Sequence, residues 1–330
     1  MVRVAVKEFE NVELIQQWQY LGKVHPKMLK DSVFEVCKKI GLTSVQSYVY
    51  WAEIEKEKGK IDFSPYDVLI EKLKRHKLKW VPFLILGPQY ATPEWFWESG
   101  KSVFAKCLEH GMETRIQSIW NPYLPEYVER FLQMIAKQYR NCGILESVTL
   151  GISGNWGEAL YPAWGGFYGG FHTHPGWWCG DRYAVLDFKK YAKEKYQSID
   201  ALNLTWGTSF GDFKDLTFPY VKRFRIKDFL RGALKEVFSI APHWLKPLLS
   251  SLWRAAIIPA KRANTFSNPS RFSSDTEVSC SLAPEQLRWL DFVEWYLQSM
   301  TRWAEFWLKK ARQYFPDTPI YLVTGGDGKP

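Results

Sequence analysis

The sequence predicts an α/β protein built from parallel β/α units, and three observations carry that expectation. Strand-like and helix-like runs alternate over the first two-thirds of the chain. The strand-like runs are apolar on both faces, as strands covered by helices must be. They end in loops rich in aromatic and polar residues, "YVYWAEIE", "LGPQYATPEWFW" and "GISGNWGEALYP". Doubly wound sheets and (β/α)8 barrels both fit. No GxGxxG, and no GxxxxGK followed by Ser or Thr, comes after any strand, which removes the common nucleotide-binding sheet. In a barrel the loops that follow the strands share one mouth, where active sites lie. A (β/α)8 TIM-type barrel is the favoured reading.

Each element has its own signal. "MLKDSVFEVCKKIG" places apolar residues at helical spacing and stops at Gly41. "LTSVQSYVYW" is β-branched and aromatic, a strand pattern. "SPYDVLIEKLKRHK" opens with Ser64 as the expected N-cap and Pro65 at the first helical position. It feeds "LKWVPFLILGP", a nearly continuous apolar strand. The amphipathic "LPEYVERFLQMIAKQYR" leads to "ILESVTLGIS", and two strong helices follow, "AVLDFKKYAKEKY" and "WLDFVEWYLQSMTRWAEFWLKKARQYF", the second feeding "TPIYLVTGG".

Residues 221–281 break the alternation. They are basic, then Ser/Asn-rich, and include "HWLKPLLSSLWRAAIIP". An amphipathic helix there would lie on the barrel or on a membrane surface, and packing on its own domain is the favoured outcome. The expected organisation is therefore an N-terminal barrel part (1–220), a basic amphipathic insertion (221–281) and a continuation of the barrel (282–330). With only about five strand-like segments, the barrel is expected to be C-terminally incomplete.

Composition narrows the function classes. The chain has 330 residues, 46% hydrophobic and 24% charged, enough for a substantial core. Aromatic residues make up 17%, with 17 Trp; a big core is the plain reading of that excess, and sugar binding the sharper one, since flat apolar rings stack on sugar faces. The net charge of +9 comes with no zinc-finger spacing, RNP strand or helix-turn-helix signal, so no nucleic-acid partner is expected. Five widely spaced cysteines without CxxC speak against a disulfide framework and against a zinc site. No apolar run reaches membrane-spanning length and no secretory h-region follows Met1, so a cytoplasmic location is expected. No cofactor and no metal are called for, and an oligomer is left open.

The chemistry centres on "GISGNWGEALYPAWGG", in which Glu158 is the single acidic residue among glycines and rings. Glycoside hydrolysis uses two carboxyl groups, one a protonated acid and the other a nucleophile or water-activating base. Trp156, Tyr161 and Trp164 would exclude water around Glu158 and keep its proton on. The alternative is that Glu158 pairs with an arginine or caps a helix. For the second carboxylate Asp327 is the candidate, although "GDG" reads better as a turn. Asp181 is expected to cap the helix after it. Candidate sugar contacts are Trp51, Gln89, Tyr90, Trp95, Asn155, Trp156, Tyr161, His172 and His174. The two histidines lack a third ligand, so a substrate contact is preferred to a metal. Glu53, Glu55 and Glu57 read as solvated or structural.

The segment "YWAEIEKEKGKIDFSPYDVLIEKLKRHKLKWVPFLILGPQYATPEWF" resembles the start of the barrel in family 42 β-galactosidases. There an aromatic-Trp strand end leads through "E-x-E-x-G-x-x-D-F-S" and a helix to a strand ending "G-P/T-x-x-A-T-P-x-W". "LNLTWGTSF" is similar to that family's "LN-x-x-WGT-x-F". The resemblance spans about residues 45 to 215 and returns at "RWLDFVEWY…YFPDTPIYLVTGG". One departure stands at the acid: family 42 has Asn directly before its Glu, whereas here Gly157 does, and Asn155 is displaced. The "GEALYP" loop is closer to the "GE-x-x-YP" of family 14 β-amylases. The resemblance implies a glycosidase barrel with Glu158 as general acid/base on a carbohydrate substrate, retaining if galactosidase-like and inverting if amylase-like.

Overall fold

The computed structural model describes residues 29–109, 111–154, 157–162, 177–219 and 283–323. The basic segment 221–281, Asn155, Trp156, Trp164, His172, His174 and Asp327 lie outside them, as does the side chain of Gln89. Six strands are present among the described residues: β1 (Ser44–Tyr50), β2 (Lys79–Ile85), β3 (Phe104–Lys106), β4 (Glu113–Gln117), β5 (Val148–Gly151) and β6 (Ile320–Leu322). The helices are α1 (Asp31–Lys39), α2 (Trp51–Ile54), α3 (Ser64–Arg75), α4 (Glu94–Trp97), α5 (Leu124–Tyr139), α6 (Arg182–Tyr196), α7 (Ile199–Trp206) and α8 (Pro284–Tyr314).

Strands β1, β2, β5 and β6 form one sheet in that order, every pair parallel. Neighbours in space are therefore successive parallel strands joined through helices, the arrangement the alternation predicts. The register aligns Tyr50 with Ile85 and Ile85 with Gly151, so the C-terminal strand ends stand side by side. The antiparallel hairpin β3–β4 carries no expectation from the sequence; it sits in the long connection between β2 and α5.

The two sheet faces differ sharply. Val49, Trp80, Leu84, Val148 and Leu150 point to one face and are buried against Leu69, Leu73, Val128, Phe131 and Leu132 of α3 and α5 and Trp303, Trp307 and Ala311 of α8. The other face presents a straight row, Tyr48–Phe83–Thr149–Tyr321, read directly from the pairing. Its inner members are buried, but Tyr48 is 37% and Tyr321 44% exposed. The helix-covered face is the outside of the barrel wall and the tyrosine row faces its interior. A second aromatic cluster, Phe188, Trp206, Phe292, Trp295 and Tyr296, joins α6, α7 and α8.

Local structure corrects one expectation and explains several motifs. Ser64 is the first helical residue of α3 and does not cap it; the Asp62 carboxylate instead accepts the Ser64 N–H at 2.9 Å. Pro65 sits in the first turn as expected. Asp181 does cap α6, accepting from the N–H groups of Tyr183 (2.9 Å) and Ala184 (3.1 Å). "LN-x-x-WGT-x-F" is a helix-stop device: the Asn203 side chain donates to the Phe210 carbonyl and accepts from the Phe210 N–H, each at 2.9 Å, while Trp206 is buried.

At the far side α1 and α3 are joined through Asp31, whose carboxylate accepts from Lys72 (2.9 Å) and contacts His76 Nε2 (3.0 Å). Hydrogen bonding by His76 first, and by Lys72 next, holds the Asp31 carboxyl down at about 2 from 3.8. A depressed folded-state value stabilises the fold above the unfolded value and loses that contribution as pH falls through the folded one. Wild type is therefore expected to lose stability more steeply than Asp31→Asn between about pH 4 and pH 2, measured as urea midpoints across that window.

Candidate active site

Glu158 stands where β5 meets the interior mouth, and the glycines before it explain how. A Cβ at Gly151 would lie 2.7 Å from Ile85 Cγ1 and 2.8 Å from Phe83 Cε2, so β5 ends flush against β2 only with glycine there. Gly154 (φ 66°) and Gly157 (φ 99°) adopt left-handed backbone that L side chains resist. A Cβ at Gly154 would collide with the Glu158 carboxylate, which folds back over it. One at Gly157 would reach Phe83 Cζ at 3.0 Å. The Ile152 N–H donates to the Gly157 carbonyl at 3.0 Å, closing the loop into a tight knuckle. Immediately after the acid, the Ala159 N–H donates to the Val323 carbonyl at 2.7 Å, joining the loop to the chain leaving β6.

Glu158 is half-buried, close to Tyr48, and follows Gly157, which lies against Phe83 of the same row. Desolvation first, and the charge of Glu158 second, push the Tyr48 phenol up from its ordinary value, so this neighbour is a neutral hydroxyl at physiological pH. The Tyr48 ring leans on Phe83 at 5.2 Å and stacks along Tyr50 at 5.9 Å. Tyr90 packs edge-on against Tyr50 at 5.2 Å, in the small cluster that also holds Phe83, Ile85 and Val323. Glu158, Tyr48, Tyr90 and Tyr321 are thus on the interior side of the sheet or at its rim. Tyr48 and Tyr321 were absent from the expected set; the alternation Gln46, Tyr48, Tyr50 was the available signal.

Other expected contacts occupy different places. Trp51 is not a platform: it is 1% exposed, wedged among Trp95, Phe96 and Tyr127, with its Nε1–H donated to Glu55 Oε2 at 2.8 Å. A strand-end indole that begins a helical turn points back into the wall, and sequence position does not show this. Trp95 is partly buried against the same cluster and donates its Nε1–H to the Glu55 carbonyl at 2.9 Å. Glu55 itself is 0% exposed, taking hydrogen bonds from Trp51, from the Gly59 N–H (2.7 Å) and from Arg130 (2.6 Å). It is structural, one of the two alternatives expected of it. Tyr161 stacks on Tyr296 with ring centroids 3.8 Å apart and donates its hydroxyl to the Tyr296 carbonyl at 2.6 Å. A separate cleft of about 400 Å³ between the start of α5, α6 and α8 contains none of the expected site residues.

No family model matches the chain. Among curated proteins it is 27% identical over 241 residues to the β-galactosidase BbgII of Bifidobacterium bifidum, covering 64% of this chain and 31% of that protein. It is 23% identical over 197 residues to a thermophilic β-amylase of Thermoanaerobacterium thermosulfurigenes, covering 55% of this chain and 35% of that one. The chain thus spans about a third of the length of the curated relatives it matches. Among solved structures, the catalytic domain of a Paenibacillus polymyxa β-amylase superposes with a TM-score of 0.59 at 15% identity, covering 90% of this chain and 63% of that one. A catalytic mutant of Gan42B, a GH42 β-galactosidase from G. stearothermophilus, superposes at 0.51 and 15% identity, covering 93% and 34%. The fold is the barrel fold that these structures share.

Of the six described strands, β1, β2, β5 and β6 form a four-stranded arc of the barrel wall, and the paired resemblance to β-galactosidases and to β-amylases recurs in both comparisons. Among the described residues no helix is long and apolar enough to cross a membrane.

Proposed function

We propose that the chain hydrolyses O-glycosidic bonds, with Glu158 as general acid/base. The observation that supports this most is the placement of Glu158: a half-buried carboxylate on a glycine-built knuckle at the C-terminal end of a barrel strand, beside the interior row Tyr48–Phe83–Thr149–Tyr321. Barrel enzymes put their reacting groups at that end. The relatives' names point the same way. In the reaction the Glu158 proton passes to the leaving-group oxygen as the glycosidic bond breaks. The second carboxylate then either attacks the anomeric carbon or activates water, and Asp327 remains the candidate for it.

The substrate is a β-galactoside in the favoured reading, because the motif order from about residue 45 onward follows family 42. An inverting glucan hydrolase of β-amylase type is the second reading, favoured by Gly157 directly before Glu158 and by "EALYP" after it. A non-catalytic sugar-binding relative is the third. Aryl β-galactosides and maltodextrin, offered in parallel with proton NMR of the first-formed anomer, separate the first two. A β-anomer from the galactoside supports retention and the galactosidase reading. A β-anomer from α-linked glucan supports inversion. Calorimetric sugar binding with no turnover of either supports the non-catalytic relative.

A further inference from the structure

Tyr161 follows Glu158 by three residues, and its hydroxyl is spent on the backbone of α8. It donates to the Tyr296 carbonyl at 2.6 Å. Its ring lies flat on Tyr296 at 3.8 Å and nearly parallel to Trp120 at 5.8 Å. Tyr296 is in turn fixed, its hydroxyl accepting the Trp178 N–H at 3.0 Å. Upstream of the acid, α8 reaches the same knuckle again: Trp303 donates Nε1–H to the Ile152 carbonyl at 2.9 Å. Glu158 therefore hangs between two α8 contacts, seven residues apart on the helix, with the Ala159–Val323 bond between them.

We propose that Tyr161 is a positioning residue that fixes the Glu158 carboxyl by tethering its loop to α8, and that it is not a sugar contact. This rests on the reading of Glu158 as the acid. A hydroxyl whose single proton is donated to a helix carbonyl, inside a ring stack, has no proton left to give a substrate. A tether that holds the loop, however, sets the acid within the narrow geometry that proton transfer requires.

The test is Tyr161→Phe, which deletes the hydroxyl and keeps the stack. The expected result is a fall in kcat of about tenfold with KM within about twofold, and about tenfold faster amide exchange of Ala159, while the amides of α5 are unchanged. A rise in KM at constant kcat identifies a sugar contact and overturns the proposal, as does exchange at Ala159 identical to wild type. Glu158→Gln is assayed beside it. If that variant keeps its rate, the acid assignment falls while the exchange measurement still decides the tether. If Glu158→Gln is inactive and Tyr161→Phe matches wild type in kcat, the positioning role falls alone.

Discussion

Glu158→Gln is expected to lower the hydrolysis rate of an aryl β-galactoside by between about a hundredfold and ten-thousandfold, the range spanned by general acid–base catalysis. Glutamine keeps the size and a hydrogen-bonding head, so the fold over Gly154 is preserved and the melting transition should match wild type. The loss should be smallest for the nitrophenyl leaving group that departs with least help from a proton, and largest for an alkyl glycoside. That gradient is the signature of a missing acid rather than of a distorted pocket. An undiminished rate with the alkyl glycoside would sink the assignment.

The second large effect is on stability. Glu55→Ala removes the acceptor shared by the Trp51 indole, the Gly59 N–H and Arg130, all gathered on a carboxylate with no exposure. Two neutral donors lose their partner, one of them a buried indole; Arg130 is 38% exposed and can return to water, which limits the cost. The expected destabilisation is about 3 kcal/mol, read as a lower urea midpoint at unchanged slope. Activity per folded molecule should stay near wild type, since Glu55 lies on the helix-covered side of the wall. A variant as stable as wild type would mean that the cluster around Trp51 holds without it.

These two carboxylates show what the sequence could and could not convey. Alternation of apolar runs was enough to place β1, β2, β5, β6 and the long helices, because period and flanking signals are local properties. The isolation of Glu158 among glycines was legible for the same reason. The hairpin β3–β4 was missed since its strands are short and partly polar. The burial of Trp51 was not legible because a ring at a strand end looks alike whether it faces a cavity or a neighbouring helix. The direction of a side chain depends on contacts far along the chain: Tyr161 with Tyr296, Trp303 with Ile152, Arg130 with Glu55. Motif similarity had a related blind spot. "E-x-E-x-G", "A-T-P-x-W" and "LN-x-x-WGT" prove to be fasteners around buried indoles and turn carbonyls, so they mark a shared scaffold more than a shared reaction.

Helix α8 has a consequence for how the chain comes into being. Its residues Phe292, Trp295 and Tyr296 complete one aromatic cluster, and Trp303, Trp307 and Ala311 close the wall behind β2 and β5. The surfaces of β2, β5, α6 and α7 that these rings cover are made at least 60 residues earlier on the ribosome, which at about 5–20 residues per second leaves them bare for several seconds. The nascent protein must wait, sticky and half-walled, for a helix that arrives late. Chaperone dependence during synthesis, rather than poor final stability, is where its yield should be decided.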